Sequence, residues 1–419
     1  MIVRHIILFL LLIVLPDLWI DYRYLRTRAS LSAWHRLLWW VPCAIMLALT
    51  CYLASHDSFI PRDRMWLDVY LWLIGLVVVP KAVFSLCTFI GKVLCRRCRC
   101  RFPLLECVGS LLALCSAGAF AYGFTDGFNH LEVRHVDLYF DNLPSAFDGY
   151  RIVQVSDLHV GTYNDKEMLA KTVDSIQAQK ADMVCFVGDL QNVVPDEVME
   201  VSDVLSRLAN TYSVLGNHDY ADYAFFRDKR QRRRGAKEDG KAIEGGVTKE
   251  GIVNKMKEIQ RYKLGFNLLD NENRCIKRDS SAIYVVGTGN YSKPPKSPDK
   301  PSYNYCDLNK AMKGVPADAF AIMLQHNPQA WDDILLPSAN TQHPVPHLTL
   351  SGHTHGGQVA VGALRPTLLA YPQDNGLYEN NGRYLYVTSG VGGVVPVRIG
   401  VSPEIVVITL KSKKSKTVK

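Results

Sequence analysis

The sequence predicts an α/β fold preceded by an N-terminal bundle of about four transmembrane helices. Three observations carry this expectation. Long apolar runs crowd the first 130 of the 419 residues. The remainder alternates strand-like and helix-like segments. Its most polar short motifs fall at the ends of the strand-like runs, where α/β folds gather ligands. The boundaries follow: a transmembrane helical region at 1–130 and a second domain at 131–419, long enough to bury a large core.

Four segments are candidate spans: Ile2–Ile20, Leu37–Ala54, Trp66–Leu94 and Leu104–Phe124. A spanning helix needs about 20 mostly apolar residues. The first is the weakest, because Arg4, Pro16 and Asp17 interrupt it. No small-residue cleavage site follows it, so it reads as an uncleaved span rather than a signal peptide. The loop 21–36 carries Arg23, Arg26, Arg28 and Arg36, and the loop 92–103 carries Lys92, Arg96, Arg97, Arg99 and Arg101. Basic short loops stay cytoplasmic. The expectation is a multi-pass inner or cell-membrane protein with its C-terminal domain on the extracytoplasmic side.

The formal charge of +8 is unevenly placed. The segment 227–241 and the tail 411–419 are each strongly basic, and what remains of the second domain is acidic. A nucleic-acid-binding domain would be basic across one face, so no nucleic-acid partner is expected. The basic stretch, part of an insertion at 227–251, is either a solvated loop or a contact to anionic lipid headgroups. Eight of eleven cysteines lie in the first 130 residues. Cys95, Cys98, Cys100 and Cys107 offer four thiolates for a zinc, but they are closely spaced for paired zinc knuckles, and reduced thiols beside the membrane fit better. A Cys275–Cys306 bridge is one option, while Cys185 in an apolar run reads as a buried small hydrophobe.

In the second domain, strands are expected at 132–140, 151–156, 183–187, 211–215, near 264–269 and 282–287, then at 319–324, 347–351, 384–389 and 404–410. Helices are expected at 165–179 and 195–209. Five of these strands end in chemistry: Asp157-Leu-His159, Gly188-Asp189, Gly216-Asn217-His218-Asp219, His326, and Gly352-His353-Thr-His355. Nitrogen and oxygen donors of this kind suit Mn, Fe or Zn. Two close metal ions need a shared carboxylate and several imidazoles, and Asp189 is the natural bridge. Glycines before Asp189, Asn217 and His353 would let the chain turn sharply after each strand. A lone buried His or Asp is ordinarily a core residue satisfied by hydrogen bonds. Eight polar residues at five strand ends are not explained that way. His343 and His347 also lie near these motifs but read as surface or loop residues.

The order D-x-H, GD, GNH, H, GHxH resembles the calcineurin-like metallophosphoesterase superfamily, from about Leu143 to Leu410. The lead-in Phe147-Asp-Gly-Tyr-Arg-Ile and the run Tyr386-Val-Thr-Ser-Gly390 belong to the same resemblance. The branch it resembles most is the bacterial membrane-associated one that includes hydrolases of UDP-2,3-diacylglucosamine. The resemblance implies a four-layer α/β/β/α sandwich. It implies two divalent metal ions, the first held by Asp157, His159 and His355, the second by Asn217, His326 and His353, with Asp189 shared. His218 would contact the phosphate and protonate the leaving oxygen, with Asp219 as a candidate to orient it. One departure is Gly287-Thr-Gly-Asn290, where this branch would carry an acidic residue.

The expected function is therefore metal-dependent hydrolysis of a phosphomono- or diester, lipid-linked or membrane-adjacent, at the membrane surface. Two alternatives are a cytoplasm-facing UDP-2,3-diacylglucosamine pyrophosphatase of lipid A synthesis and a non-enzymatic metal-binding scaffold or sensor. A scaffold would need the ligands but not His218.

Overall fold

A computed structural model describes residues 2–28, 30–55, 65–98, 103–163, 165–222, 248–295, 302–337 and 344–413. The basic stretch 227–241, His343 and the Cys95, Cys98 and Cys100 side chains lie outside what it describes. The chain divides into two units, Met1–Thr125 and Asp126–Lys419.

Among the described residues of the N-terminal part, three helices are long and apolar enough to cross a membrane: Ala33–Ser55, Met65–Leu94 and Leu104–Gly127. A fourth helix, Ile2–Ile20, precedes them. Two of the residues that weaken this helix in the sequence, Pro16 and Asp17, turn inward. Asp17 is buried and pairs with Lys81 at 2.8 Å, and Lys81 also lies over the Trp39 ring. The helix continues through Pro16, whose carbonyl accepts from Ser85. Charges within apolar helices are tolerated where they pair inside the bundle.

Among its described residues the second unit has twelve strands. They are β1 (Glu132–Phe140), β2 (Arg151–Val155), β3 (Met183–Val187), β4 (Thr211–Val214), β5 (Asn267–Leu268) and β6 (Glu272–Arg278). After them come β7 (Ser281–Gly287), β8 (Ala321–Leu324), β9 (Leu348–Ser351), β10 (Gly376–Asn380), β11 (Arg383–Val387) and β12 (Glu404–Ser412). They form two six-stranded sheets, ordered β1-β12-β2-β3-β4-β5 and β10-β11-β9-β8-β7-β6.

Side-chain alternation stacks these sheets in layers. Ile152, Met183, Cys185, Val187 and Val214 of the first sheet meet Ile283, Val285, Ile322, Leu324 and Leu350 of the second. The opposite face of the first sheet, including Val153, Val184 and Phe186, packs on Leu169, Val173, Met256 and Ile259 from helical segments. The outer face of the second, including Val286, Met323 and Leu385, packs on Met312, Trp331 and Leu335. The result is an α/β/β/α sandwich. The central strands are apolar on both faces, and each fully buried aliphatic side chain contributes about 1.5–3 kcal/mol.

Several elements differ from expectation. The segment expected as one helix at 195–209 is two short helices, Asp196–Glu200 and Ser202–Leu205, broken at Val201. The break lets Val198 and the Val204–Leu205 pair enter the same core. Strands β6 and β10 were not expected. Each is the outermost strand of its sheet and largely exposed, so neither carries a hydrophobic signal. Cys275 and Cys306 are both free, which removes the disulfide option. His347 is buried rather than at the surface. Its ring stacks on Phe320 with centroids 4.5 Å apart, its Nδ1 accepts from the Ala321 amide, and burial lowers its pKa to about 4.

Candidate metal centre

All eight expected residues sit just beyond the carboxyl ends of five strands. Asp157 and His159 follow β2, Asp189 follows β3, and Asn217 and His218 follow β4. These three strands are parallel neighbours. His326 follows β8, and His353 and His355 follow β9, a parallel pair in the other sheet. Hydrogen bonds cross between the sheets at this edge. His353 N–H donates to both Asp157 carboxylate oxygens at 3.2 and 3.0 Å. His326 Nδ1 donates to the Val187 carbonyl at 2.7 Å. Gln154 in β2 donates to the Ser351 carbonyl at 2.8 Å.

The backbone is strained where the chemistry gathers. Asp157, His159, Asp189, His353 and His355 all have positive φ, between 44° and 75°. Such conformations cost a non-glycine residue about 1–3 kcal/mol and persist only where the surroundings over-determine them. Here, Asp157 N–H donates to the Gly188 carbonyl at 2.9 Å and His159 N–H to the Asp189 carbonyl at 3.1 Å. The glycine expectation needs a correction. Gly188 does have positive φ, but neither Gly216 nor Gly352 does. A Cβ on Gly216 would lie 2.1 Å from Asp189 Oδ1, and one on Gly352 would lie 2.2 Å from Asp157 Oδ2. Those two glycines admit a carboxylate rather than make a turn.

The donor atoms form three overlapping groups. One is Asp157, His159 and His355, a second is His159, Asp189 and His218, and a third is Asp189, His326 and His353, each with its atoms within 4.8 Å of one another. Asp189 Oδ2 lies 3.7 Å from His159 Nε2 and 3.1 Å from His326 Nε2, so one carboxylate oxygen faces two groups. His355 Nε2 lies 3.5 Å from Asp157 Oδ1. Asn217 Oδ1 is 2.7 Å from His353 Nδ1, which joins it to the third group.

Burial dominates the electrostatics. It pulls the pKa of His159 and His355 well below the usual imidazole value and that of His353 down to about 3, so all three are neutral. Neutral imidazole is the ligating form. At His326 burial acts the same way, but Asp189 and Asp157 outweigh it and push the pKa up to about 9. Both ring nitrogens of His159 and Nδ1 of His355 are buried with no hydrogen-bond partner among the described residues. Buried polar atoms without partners are costly, and bound cations would satisfy these and hold both carboxylates ionised. The donor set thus fits divalent metal ions, which would displace the proton from His326.

His218 is held differently. Its backbone N–H donates to Asp189 Oδ1 at 2.8 Å. Its Nδ1 is 2.6 Å from the Asn192 carbonyl. A carbonyl only accepts, so Nδ1 carries a hydrogen. Asp219 does not orient this ring. Its fully buried carboxylate accepts from the backbone amides of Asp189, Gly216, Leu190 and Gln191, at 2.9 to 3.2 Å. It ties the loop after β3 to the loop after β4. Burial and the neighbouring Asp189 charge raise its pKa to about 7.

Three contributors escaped the sequence reading. Asn192 orients His218 through its carbonyl, an atom every residue possesses, so no motif marks it. Tyr371 places its hydroxyl 2.8 Å from His353 Nε2. Arg398 is fully buried, and its guanidinium donates to the carbonyls of Ser389, Gly390 and Gly392. That loop lies against Asp157, with Gly392 N–H donating to the Asp157 carbonyl at 2.8 Å. An arginine inside an otherwise apolar and glycine-rich stretch was the available signal.

Two parallel sheet edges meeting at a strained Asp/His/Asn cluster define a metal-dependent hydrolase of the sandwich type. Residues 150–357 match the calcineurin-like phosphoesterase family, and residues 3–128 match the transmembrane domain of probable calcineurin-like phosphoesterases. The chain belongs to the calcineurin-like phosphoesterases, with the transmembrane domain of a membrane-bound subgroup. It is 26% identical over 311 residues to the uncharacterized metallophosphoesterase YkuE of Bacillus subtilis, covering 72% of this chain and 92% of that protein. It is 27% identical over 314 residues to a transmembrane protein with metallophosphoesterase domain from Danio rerio, covering 72% of this chain and 62% of that one. It is 26% identical over 323 residues to the UDP-2,3-diacylglucosamine pyrophosphatase LpxG of Chlamydia trachomatis, covering 66% of this chain and 90% of that one.

Proposed function

We propose that this hydrolase uses two divalent metal ions to cleave a phosphoester presented at the membrane surface. The observation that carries the reading is the position of Asp189, whose one carboxylate oxygen faces both donor groups. Asp157, His159 and His355 would hold one ion, Asn217, His326 and His353 the other, and Asp189 both. The ions supply an activated water and neutralise charge on the phosphate oxygens. The protein does the rest. The strained loops hold the donors in place before substrate arrives. The Asn192 carbonyl fixes the His218 ring so that Nε2 delivers a proton to the leaving oxygen. An intact proton donor supports an enzyme over a scaffold.

The membrane-adjacent substrate is supported by the transmembrane domain and by the similarity to the Chlamydia trachomatis pyrophosphatase, which acts on UDP-2,3-diacylglucosamine. Full-length protein in detergent, stripped with a chelator, is expected to lose hydrolysis of bis(p-nitrophenyl) phosphate and to regain it with Mn²⁺ or Zn²⁺. Turnover that survives complete metal removal would refute the two-metal reading.

The arginine-rich loops 21–36 and 92–103 support an extracytoplasmic hydrolase unit. A periplasm-active phosphatase reporter fused after Lys419 should be active. An inactive phosphatase with a fluorescent cytoplasmic reporter at the same site would reverse the orientation and favour a cytoplasmic pyrophosphatase.

A further inference from the structure

Beside the metal centre the chain displays apolar side chains that its own core does not use. Val361 is 74% exposed, Leu364 76% and Leu369 95%, with Leu368 partly exposed between them. Single exposed hydrophobics need no explanation, but four within nine residues do. The segment is not loose. Val361 and Leu364 exchange two backbone hydrogen bonds, at 3.0 and 3.1 Å, around a tight turn. Arg365 grips Asp374 with two bonds, at 2.7 and 2.9 Å, and Thr367 adds a third to the same carboxylate. A short helical turn, Pro366–Leu369, then presents the two leucines.

This prong is joined to the site. Gly357 of the His355-Gly-Gly turn packs against Thr367. Tyr371, two residues beyond Leu369, reaches His353 with its hydroxyl. The stretch carries almost no charge: no Asp or Glu occurs between Asp333 and Asp374, and its one basic side chain, Arg365, is already paired with Asp374. An apolar prong on a stretch free of carboxylates is compatible with an anionic lipid surface and would repel less of it than an acidic one. The chain also leaves its last apolar helix close by in sequence, since β1 begins five residues after Leu104–Gly127.

We propose that the Val361–Leu369 prong inserts among the acyl chains of bilayer lipids, so that the centre acts on phosphoesters still embedded in the membrane. The inference rests on the phosphoesterase reading above and specifies how its substrate is met. Its physical basis is the transfer of exposed leucine and valine side chains from water to hydrocarbon, which Leu→Asp substitution abolishes. Arg365 and Asp374 satisfy each other, so the polar base of the prong stays folded when its apolar tip is buried.

The test uses the full chain in nanodiscs of equimolar phosphatidylcholine and phosphatidylglycerol. Two probes share one leaving group: bis(p-nitrophenyl) phosphate in solution and p-nitrophenyl hexadecyl phosphate in the nanodisc. The variant Leu364→Asp/Leu369→Asp is expected to lose at least about tenfold in kcat/KM on the embedded ester. Its turnover of the soluble ester, which reports an intact fold and metal centre, stays close to wild type. Leu364→Met/Leu369→Met, which remains apolar, keeps both activities. Equal effects of the Asp variant on the two probes, whether large or absent, would overturn the prong as a lipid contact and leave the phosphoesterase reading standing. A wild-type protein that hydrolyses neither probe would overturn both.

Discussion

Asp189→Asn is expected to reduce hydrolysis of bis(p-nitrophenyl) phosphate by at least about a thousandfold and to lower the bound metal. The carboxylate does three things at once. Its Oδ2 faces His159 and His326, its Oδ1 accepts from the His218 backbone at 2.8 Å, and its own strained backbone is clamped by Asp219. Asparagine matches the shape but brings no charge and replaces one acceptor oxygen by a donor. With the Asp157 carboxylate as the other nearby anion, a pair of dications loses much of its charge compensation. Metal content by elemental analysis and kcat on the same sample check this together. Full metal with near-normal turnover would remove Asp189 from the bridging role.

His218→Ala is expected to lower kcat by about 10²–10⁴-fold with metal content unchanged. His218 meets the Asn192 carbonyl through Nδ1 and packs edge-on to His159, with ring centroids 4.5 Å apart. A group that protonates the leaving oxygen matters most when that oxygen is a poor leaving group. The deficit should therefore be larger for a phenyl ester than for a p-nitrophenyl ester. A metal ligand would show no such dependence and would take metal with it when removed. An equal deficit on both esters, together with metal loss, would reassign His218 from proton donor to ligand.

The two variants also bear on how the site can be read. Its donors were legible because each ends a strand with a short polar motif, and strand ends in α/β folds converge. What was not legible was how each donor is held. The sequence marks Asp219 as one more acid beside a histidine, and its neighbourhood fits an orienting role. In the folded chain four backbone amides occupy its carboxylate. The partner His218 does have is a main-chain oxygen 26 residues away, which no side-chain pattern announces. Gly216 and Gly352 could be read as turn residues, yet their role is to leave room for carboxylates arriving from other loops.

The same division runs through the fold. The apolar strands β2, β3, β8 and β9 declare themselves because they are buried on both faces, so their composition is one-sided. The edge strands β6 and β10 do not, because their outward faces meet water and their pairing energy lies in backbone hydrogen bonds common to all sequences. By itself, then, the sequence determined the long apolar helices, the doubly covered strands and the Asp, Asn and His motifs at the strand ends, all properties of side-chain chemistry at local spacing. Only the tertiary structure decided which side chains lie around Asp189, which carbonyl meets His218, and that the prong Val361–Leu369 stands exposed beside them. Those depend on contacts between residues far apart in the chain, and a long-range contact is set by the packing of whole layers rather than by any local pattern.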